Sequence, residues 1–283
     1  MIKYSLNLNG GNKMTKIELN LPTAESWNQL KKIDSDDWIA QPKLDGIRTT
    51  LSNQDEKFVL TEKHGNDKSF QYPEVIMGAI QGKLPEGTKL DGELCILESD
   101  YNANLYSLLS RQVGSLEKAT KRATTNPATF VAFDIIEYKG ESVKDLSWQA
   151  RNDILQSLDI YGDKIKAINS YNPLDLVTKI QPLNMEGMVI KRKDGGYNSK
   201  WLKLKYYQEY DLKIIGTTSN TRTISSIELE HIDNGDFAGK VSSNNLVTQT
   251  KEFAKEIIGK TATIRCRMNP SRKVREPVLI RIQ

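Results

Sequence analysis

Short apolar runs of strand length punctuate the first part of the chain at 58–61, 94–97, 130–136 and 188–191. Between them the apolar spacing shifts from two to three or four. Val75, Ile76, Ala79 and Ile80 precede Gly82, and Leu105, Leu108, Leu109 and Val113 precede Gly114. Trp148, Leu155 and Leu158 follow a Ser147 that can cap. These patterns predict three helices among the strands. Without a regular strand–helix–strand alternation, an α+β domain with antiparallel sheets and flanking helices is expected, not a doubly wound parallel sheet.

Near residue 206 the texture changes. After the Lys-rich run Trp201-Leu202-Lys203-Leu204-Lys205, strands are predicted at 212–217 and 261–268. In the second, Ile264, Cys266 and Met268 alternate with Arg265 and Arg267. Phe253, Ile257 and Ile258, closed by Gly259, predict one helix between them. Strands with a single helix suit a small β-barrel of the oligonucleotide-binding (OB) type. The expected division is 1–206 for the α+β domain and 207–283 for the barrel.

Charge adds an asymmetry to this division. The 283 residues carry 40 Lys+Arg and 36 Asp+Glu, a net +4. From Lys260 onward seven basic residues face Glu276 alone. A basic end beside a near-neutral body suits a module that contacts a polyanion and another that houses chemistry; a solvated basic face is the plainer reading. With 38% hydrophobic residues the chain is an ordinary globular protein, and no run approaches a membrane span. The start lacks an apolar leader pattern, so a cytoplasmic location is expected. Two cysteines, Cys95 and Cys266, are too few for a disulfide framework or a cysteine-built zinc site.

Several familiar chemistries are missing from the sequence. It has no G-x-x-x-x-G-K-[ST] loop, G-x-G-x-x-G fingerprint, H-E-x-x-H pair or G-x-S-x-G elbow, and only two histidines. A bound nucleotide would therefore have to be held by Lys and Arg side chains. Gln41-Pro42-Lys43-Leu44-Asp45-Gly46-Ile47-Arg48 sets Lys43 and Arg48 around a tight Asp-Gly turn, where neighbouring cations or desolvation can make a lysine nucleophilic. In order there follow Asp91-Gly92-Glu93-Leu94, then Phe130-Val131-Ala132-Phe133-Asp134. Met185-Glu186-Gly187-Met188-Val189-Ile190-Lys191 comes next, and the pair Lys203 and Lys205 last. Each site alone reads as a solvated acid, a core aromatic or an exposed strand face. Jointly they supply an amine nucleophile, two carboxylates for a hard cation, an aromatic face for a base and two cations for a phosphate.

These motifs, in this order, resemble the covalent nucleotidyltransferase superfamily, most closely its small ATP-dependent DNA ligases, over residues 39–281. The resemblance implies an adenylation domain joined to an OB barrel, without the extra N-terminal DNA-binding domain of larger ligases. It implies ATP and Mg²⁺ (or Mn²⁺) as cofactors and nicked duplex DNA as partner. It also implies a monomer with no membrane contact and no obligate protein partner. Position by position, Lys43 would carry AMP, Gln41 would face the adenine amino group and Phe133 would stack on the base. Arg48 and Glu93 would contact the ribose side, Lys63 would stand in a Ser-Arg-x-Gly-like motif, and Lys203 and Lys205 would contact the α-phosphate. Glu186, with Glu93, would hold the metal. Arg265, Arg267, Arg272, Lys273 and Arg275 would grip DNA.

Four features depart from the family pattern. Gln41 stands where Glu is usual and Lys63 where Arg is usual. The stretch Tyr197-Asn198-Ser199-Lys200 is shorter than usual, and the R-x-D-K element is represented by Arg281 followed by Ile282 and Gln283. Slow self-adenylation, with Arg275 sharing the missing task, is the expectation. An RNA ligase, a capping-type nucleotidyltransferase and a nonenzymatic nucleic-acid binder remain open alternatives.

Overall fold

A computed structural model describes residues 17–21, 30, 33, 36–180, 185–197, 199, 201–219, 224–242 and 251–283. The chain divides into two compact units, Met1–Lys205 and Tyr206–Gln283. In the first lie strands β1 (Ile17–Leu21), β2 (Trp38–Pro42), β3 (Ile47–Gln54), β4 (Lys57–Glu62), β5 (Thr88–Cys95), β6 (Thr129–Tyr138), β7 (Glu141–Ser142), β8 (Ile165–Ala167), β9 (Gly187–Arg192) and β10 (Leu202–Tyr206). The helices are α1 (Pro73–Gln81), α2 (Leu105–Leu109), α3 (Leu116–Thr125), α4 (Trp148–Ser157) and α5 (Pro173–Ile180).

The strands form two sheets, one ordered β1-β10-β9-β2 and the other β4-β3-β5-β6-β7, with β8 beside β6. The described ladders are antiparallel except β6 with β8, which is parallel. Strand β6 is buried on both faces, which explains its nearly unbroken apolar run. Phe130 and Ala132 join Leu51, Leu90 and Leu94 in the main core. Val131 instead joins Leu44, Cys95 and Ile168 in a smaller cluster against which Phe133 packs.

Helices cover the main core where the periodicity places them. Helix α1 begins with a proline, whose missing N–H costs nothing in a first turn, and turns Val75 and Ala79 inward. Ser147 caps α4 by accepting a hydrogen bond from the Ala150 N–H. Helices α3 and α5 are not predicted from the sequence, and two predicted elements have other bounds. Helix α2 ends at Leu109, because the chain turns to bury Arg111, whose Nη1 donates to Glu74 Oε1 and to the Asn126 carbonyl at 2.6 Å each. Strand β5 starts early, at Thr88, and ends at Cys95; Leu97 makes only an isolated bridge with Ala103. The Asp91-Gly92-Glu93 step thus lies inside a strand.

The second unit is a curled antiparallel sheet, the small-barrel architecture expected of it. Strands β11 (Gln208–Ser219), β12 (Ile224–His231), β13 (Phe237–Val241), β14 (Thr261–Met268) and β15 (Val274–Ile282) run in the order β13-β12-β11-β14-β15. The edge strands β13 and β15 approach each other. Helix α6 (Lys251–Ile257) adds Ala254 and Ile257 to a core of Leu212, Ile214, Ile227, Leu229, Ile264 and Cys266. Arg265 and Arg267 alternate with that core on β14 and are half-buried. Among the described residues no helix is long and apolar enough to cross a membrane.

Candidate active site

Strand register assembles one pocket inside the first unit. In the four-stranded sheet Gln41, Val189 and Lys203 stand in one row across β2, β9 and β10. One row further along the same face, Gly187 pairs with Lys205, and the Lys43 N–H donates to the Gly187 carbonyl at 2.9 Å. In the six-stranded sheet Arg48, Glu93 and Val131 form a row across β3, β5 and β6. Gln41, Lys43, Lys203, Arg48, Glu93 and Phe133 all line one cleft open to solvent. Leu44, Ile168, Val189, Lys191 and Trp201 complete much of its wall.

Glycines permit the close approaches this needs. A Cβ on Gly187 would lie 2.0 Å from the Leu204 carbonyl oxygen, and its φ of 150° is one that side-chain-bearing residues rarely adopt. A Cβ on Gly46 would lie 2.3 Å from the Leu94 carbonyl oxygen. Both acid-Gly steps therefore sit where two strands meet at backbone distance.

Charge in the cleft is concentrated around Lys43. Its Nζ lies 2.7 Å from Glu186 Oε1, and Glu186 is buried. Glu93 is crowded by protein atoms, and this desolvation pushes its carboxyl up to about 8; Lys43 pulls the other way, while Glu186 and Asp45 add to the rise. Glu93 and Glu186 thus feel each other across the amine. Two carboxylates with substrate phosphate and water oxygens make a suitable set for Mg²⁺. Among the described residues no three His, Cys, Asp or Glu side chains converge as a metal cage.

The opposite wall holds a polar clasp. Arg48 donates from Nε to Asp91 Oδ1 at 3.1 Å and from Nη2 to Asp91 Oδ2 at 2.6 Å. Desolvation works against the guanidinium charge, but the bonds to Asp91 more than offset it and hold the pKa above its ordinary value. The Arg48 Cζ stands 5.6 Å from the Phe133 ring centre and 5.7 Å from that of Trp201. Behind them, Lys191 is fully buried; it donates to the Phe133 carbonyl at 3.0 Å and faces Asp134 Oδ2 at 3.5 Å. Asp134 is held in turn by Arg151 through bonds of 2.7 and 3.1 Å.

Not every candidate gathers here. Lys63 sits on an exposed turn after β4, outside the residues that line the cleft, since β4 is the outer strand of its sheet. Lys205 is buried and does not line the cleft itself, although it stands one row from Lys203 on the same face, beside Gly187. In the second unit Arg265 meets Glu209 at 3.1 Å and Arg272 meets Asp233 at 2.8 Å, and Lys273 donates to the Phe237 carbonyl. Arg267 and Arg275 are register partners on β14 and β15. Of the shorter stretch before Trp201, Asn198 and Lys200 lie outside the described residues. Sequence reasoning assigned no role to Asp91, Lys191, Tyr197 or Trp201. The signal for Lys191 was strand parity, because it shares a face with Val189 and Gly187.

The family model described as "ATP dependent DNA ligase domain" matches residues 21–205. The SPbeta prophage-derived DNA ligase-like protein LigB of Bacillus subtilis (strain 168) is 27% identical over 192 residues, which is 65% of this chain and 67% of LigB. The bifunctional non-homologous end joining protein LigD of the same organism is 28% identical over 208 residues, 65% of this chain; the match spans only 34% of LigD. A solved structure from a study of Lig E DNA ligases superposes with a TM-score of 0.67 at 16% identity, covering 95% of this chain and 99% of that one. The ligase domain of M. tuberculosis LigD superposes with a TM-score of 0.55 at 17% identity, covering 95% and 94%. These two share the fold.

Proposed function

Because this chain belongs to the ATP-dependent DNA ligase domain family, we propose that it seals 5′-phosphate/3′-hydroxyl nicks in duplex DNA through an adenylated lysine. In the first step the neutral Lys43 amine attacks the α-phosphorus of ATP. A P–N bond forms, the bond to the β-phosphate oxygen breaks, and pyrophosphate leaves. The DNA 5′-phosphate then takes AMP from Lys43, and the adjacent 3′-hydroxyl displaces AMP to close the phosphodiester.

The observation that carries this reading is Lys43 Nζ, 2.7 Å from Glu186, on the wall of a cleft that also presents Arg48, Glu93, Phe133 and Lys203. Glu186 is placed to hold the proton that must leave before the amine can attack. Phe133 offers a stacking face for the base, and Gln41 offers an amide whose Nε2 is already used by Ser170 Oγ at 3.2 Å, leaving its oxygen for the adenine amino group. Arg48 and Glu93 flank the ribose side, and Lys203 and Lys205 neutralise the α-phosphate. Mg²⁺ held by Glu93 and Glu186 would supply further charge neutralisation on the phosphates. The chain contributes position and charge more than bond-making. Lys63 has no place in this assignment.

The second unit is the part we assign to DNA, through Arg265, Arg267, Arg272, Lys273 and Arg275. Incubation with labelled ATP and Mg²⁺, followed by a panel of nicked DNA, RNA and hybrid duplexes, tests the proposal. Label is expected on the protein and then at DNA nicks, and none on Lys43→Ala. Preferred sealing of RNA would make it an RNA ligase; labelling by GTP instead would make it a capping-type enzyme. DNA binding with no covalent nucleotide would leave only a binder.

A further inference from the structure

Tyr197 belongs to the connection between β9 and β10, yet its hydroxyl ends on the other sheet. It donates to Asp91 Oδ2 at 2.6 Å and accepts from Arg48 Nη2 at 3.1 Å. The ring that delivers this hydroxyl is fixed from several sides. Its backbone N–H donates to the Lys144 carbonyl at 2.8 Å. Trp201 meets it edge to face at 6.0 Å and 83°, and the Arg151 Cζ stands 5.8 Å from its centre. Arg151 also donates to the Gly195 carbonyl at 3.2 Å, two residues before the tyrosine.

We propose that Tyr197 is a positioning residue for Arg48, locking the Arg48–Asp91 pair so that one guanidinium edge is presented to the nucleotide. This rests on the nucleotide-binding reading above. Asp91 and Tyr197 together engage Nε and Nη2, and Nη1 is the nitrogen they leave. The Arg48 side chain is 45% exposed at the cleft mouth, so without this clasp its flexible stem would sample rotamers in solvent. Burial and the Asp91 charge both raise the Tyr197 pKa, so the hydroxyl remains a donor throughout the neutral range.

The test is ATP affinity by titration calorimetry without Mg²⁺ on wild type, Tyr197→Phe, Arg48→Ala and the double variant. Tyr197→Phe keeps the ring and removes the hydroxyl. It should weaken ATP about tenfold, the scale of one lost hydrogen bond to a charged group. Its adenylation rate at saturating ATP should stay within about twofold of wild type, because the hydroxyl reaches no reacting atom. The double variant should bind no more weakly than Arg48→Ala alone, a coupling that a merely structural tyrosine would not produce. Additive losses, or unchanged affinity in Tyr197→Phe, overturn the proposal alone. A wild type that binds no ATP overturns the nucleotide reading and this inference together. If urea denaturation shows Tyr197→Phe to be unfolded, Asp91→Asn replaces it, with the same non-additivity with Arg48→Ala expected and additive losses again overturning the claim.

Discussion

Lys191 holds its ammonium 4.1 Å from the centre of the Trp201 ring, in a fully buried position that also faces Asp134. Burial is the larger influence and pushes its pKa down to about 8, against the pull of Asp134. Below pH 8 the lysine is charged in both folded and unfolded chains. Between about pH 8 and its ordinary value near 10.5 the unfolded chain holds the extra proton, so stability gains up to about 1.4 kcal/mol per pH unit from this group. Urea titrations from pH 7 to 10 should show this positive component as the difference between wild type and Lys191→Met. Parallel curves for the two proteins would remove it.

Replacing Glu186 by Gln keeps the volume beside Lys43 but removes the charge 2.7 Å from its Nζ. With no carboxylate to take the proton, adduct formation should slow about 100-fold or more. The labelled-adduct rate measures this, and a rate near wild type would assign the proton elsewhere.

Gly187→Ala sets a methyl against the Leu204 carbonyl oxygen at a φ of 150°. Urea unfolding should show a loss of about 1–3 kcal/mol, with the adduct rate falling as well because the Lys43 N–H bonds to this residue's carbonyl. Wild-type stability would mean that the backbone relaxes at no cost.

Glu209 offsets Arg265 on the second unit, 3.1 Å away. If that arginine faces DNA phosphates, Glu209→Gln should tighten binding to nicked duplex. It should also steepen the dependence of log affinity on log salt by about one. Identical slopes for the two proteins would take Arg265 off the DNA face.

Legibility in the sequence followed the physics of each element. The buried strand β6, the capped helix α4 and the alternating strand β14 announced themselves through apolar runs, a serine cap and period-two spacing. Helix α3 did not, since Ala119 is its one buried residue and its remaining face is polar. In the site, the residues assigned to the proposed chemistry stood out as acid-Gly and lysine motifs, and the family match over 21–205 agrees with the resemblance they gave. What could not be read was mutual contact. Tyr197 and Asp91 are joined only by the folding of one sheet against another, and the pairing of Arg265 with Glu209 depends on the β11–β14 register. Lys63 shows the converse. Its motif position suggested the cleft, and its place after an outer strand sets it on an exposed turn.

Lys43 follows β2, Glu186 precedes β9, and these two strands are hydrogen-bonded neighbours in one sheet. The proposed nucleophile and the acid beside it are therefore mounted on a common frame, whereas Arg48, Glu93 and Phe133 ride on the other. Breathing between the frames would alter the grip on a ligand and leave Lys43 and Glu186 in alignment, so the geometry that the proposed attack needs is built before anything arrives to use it.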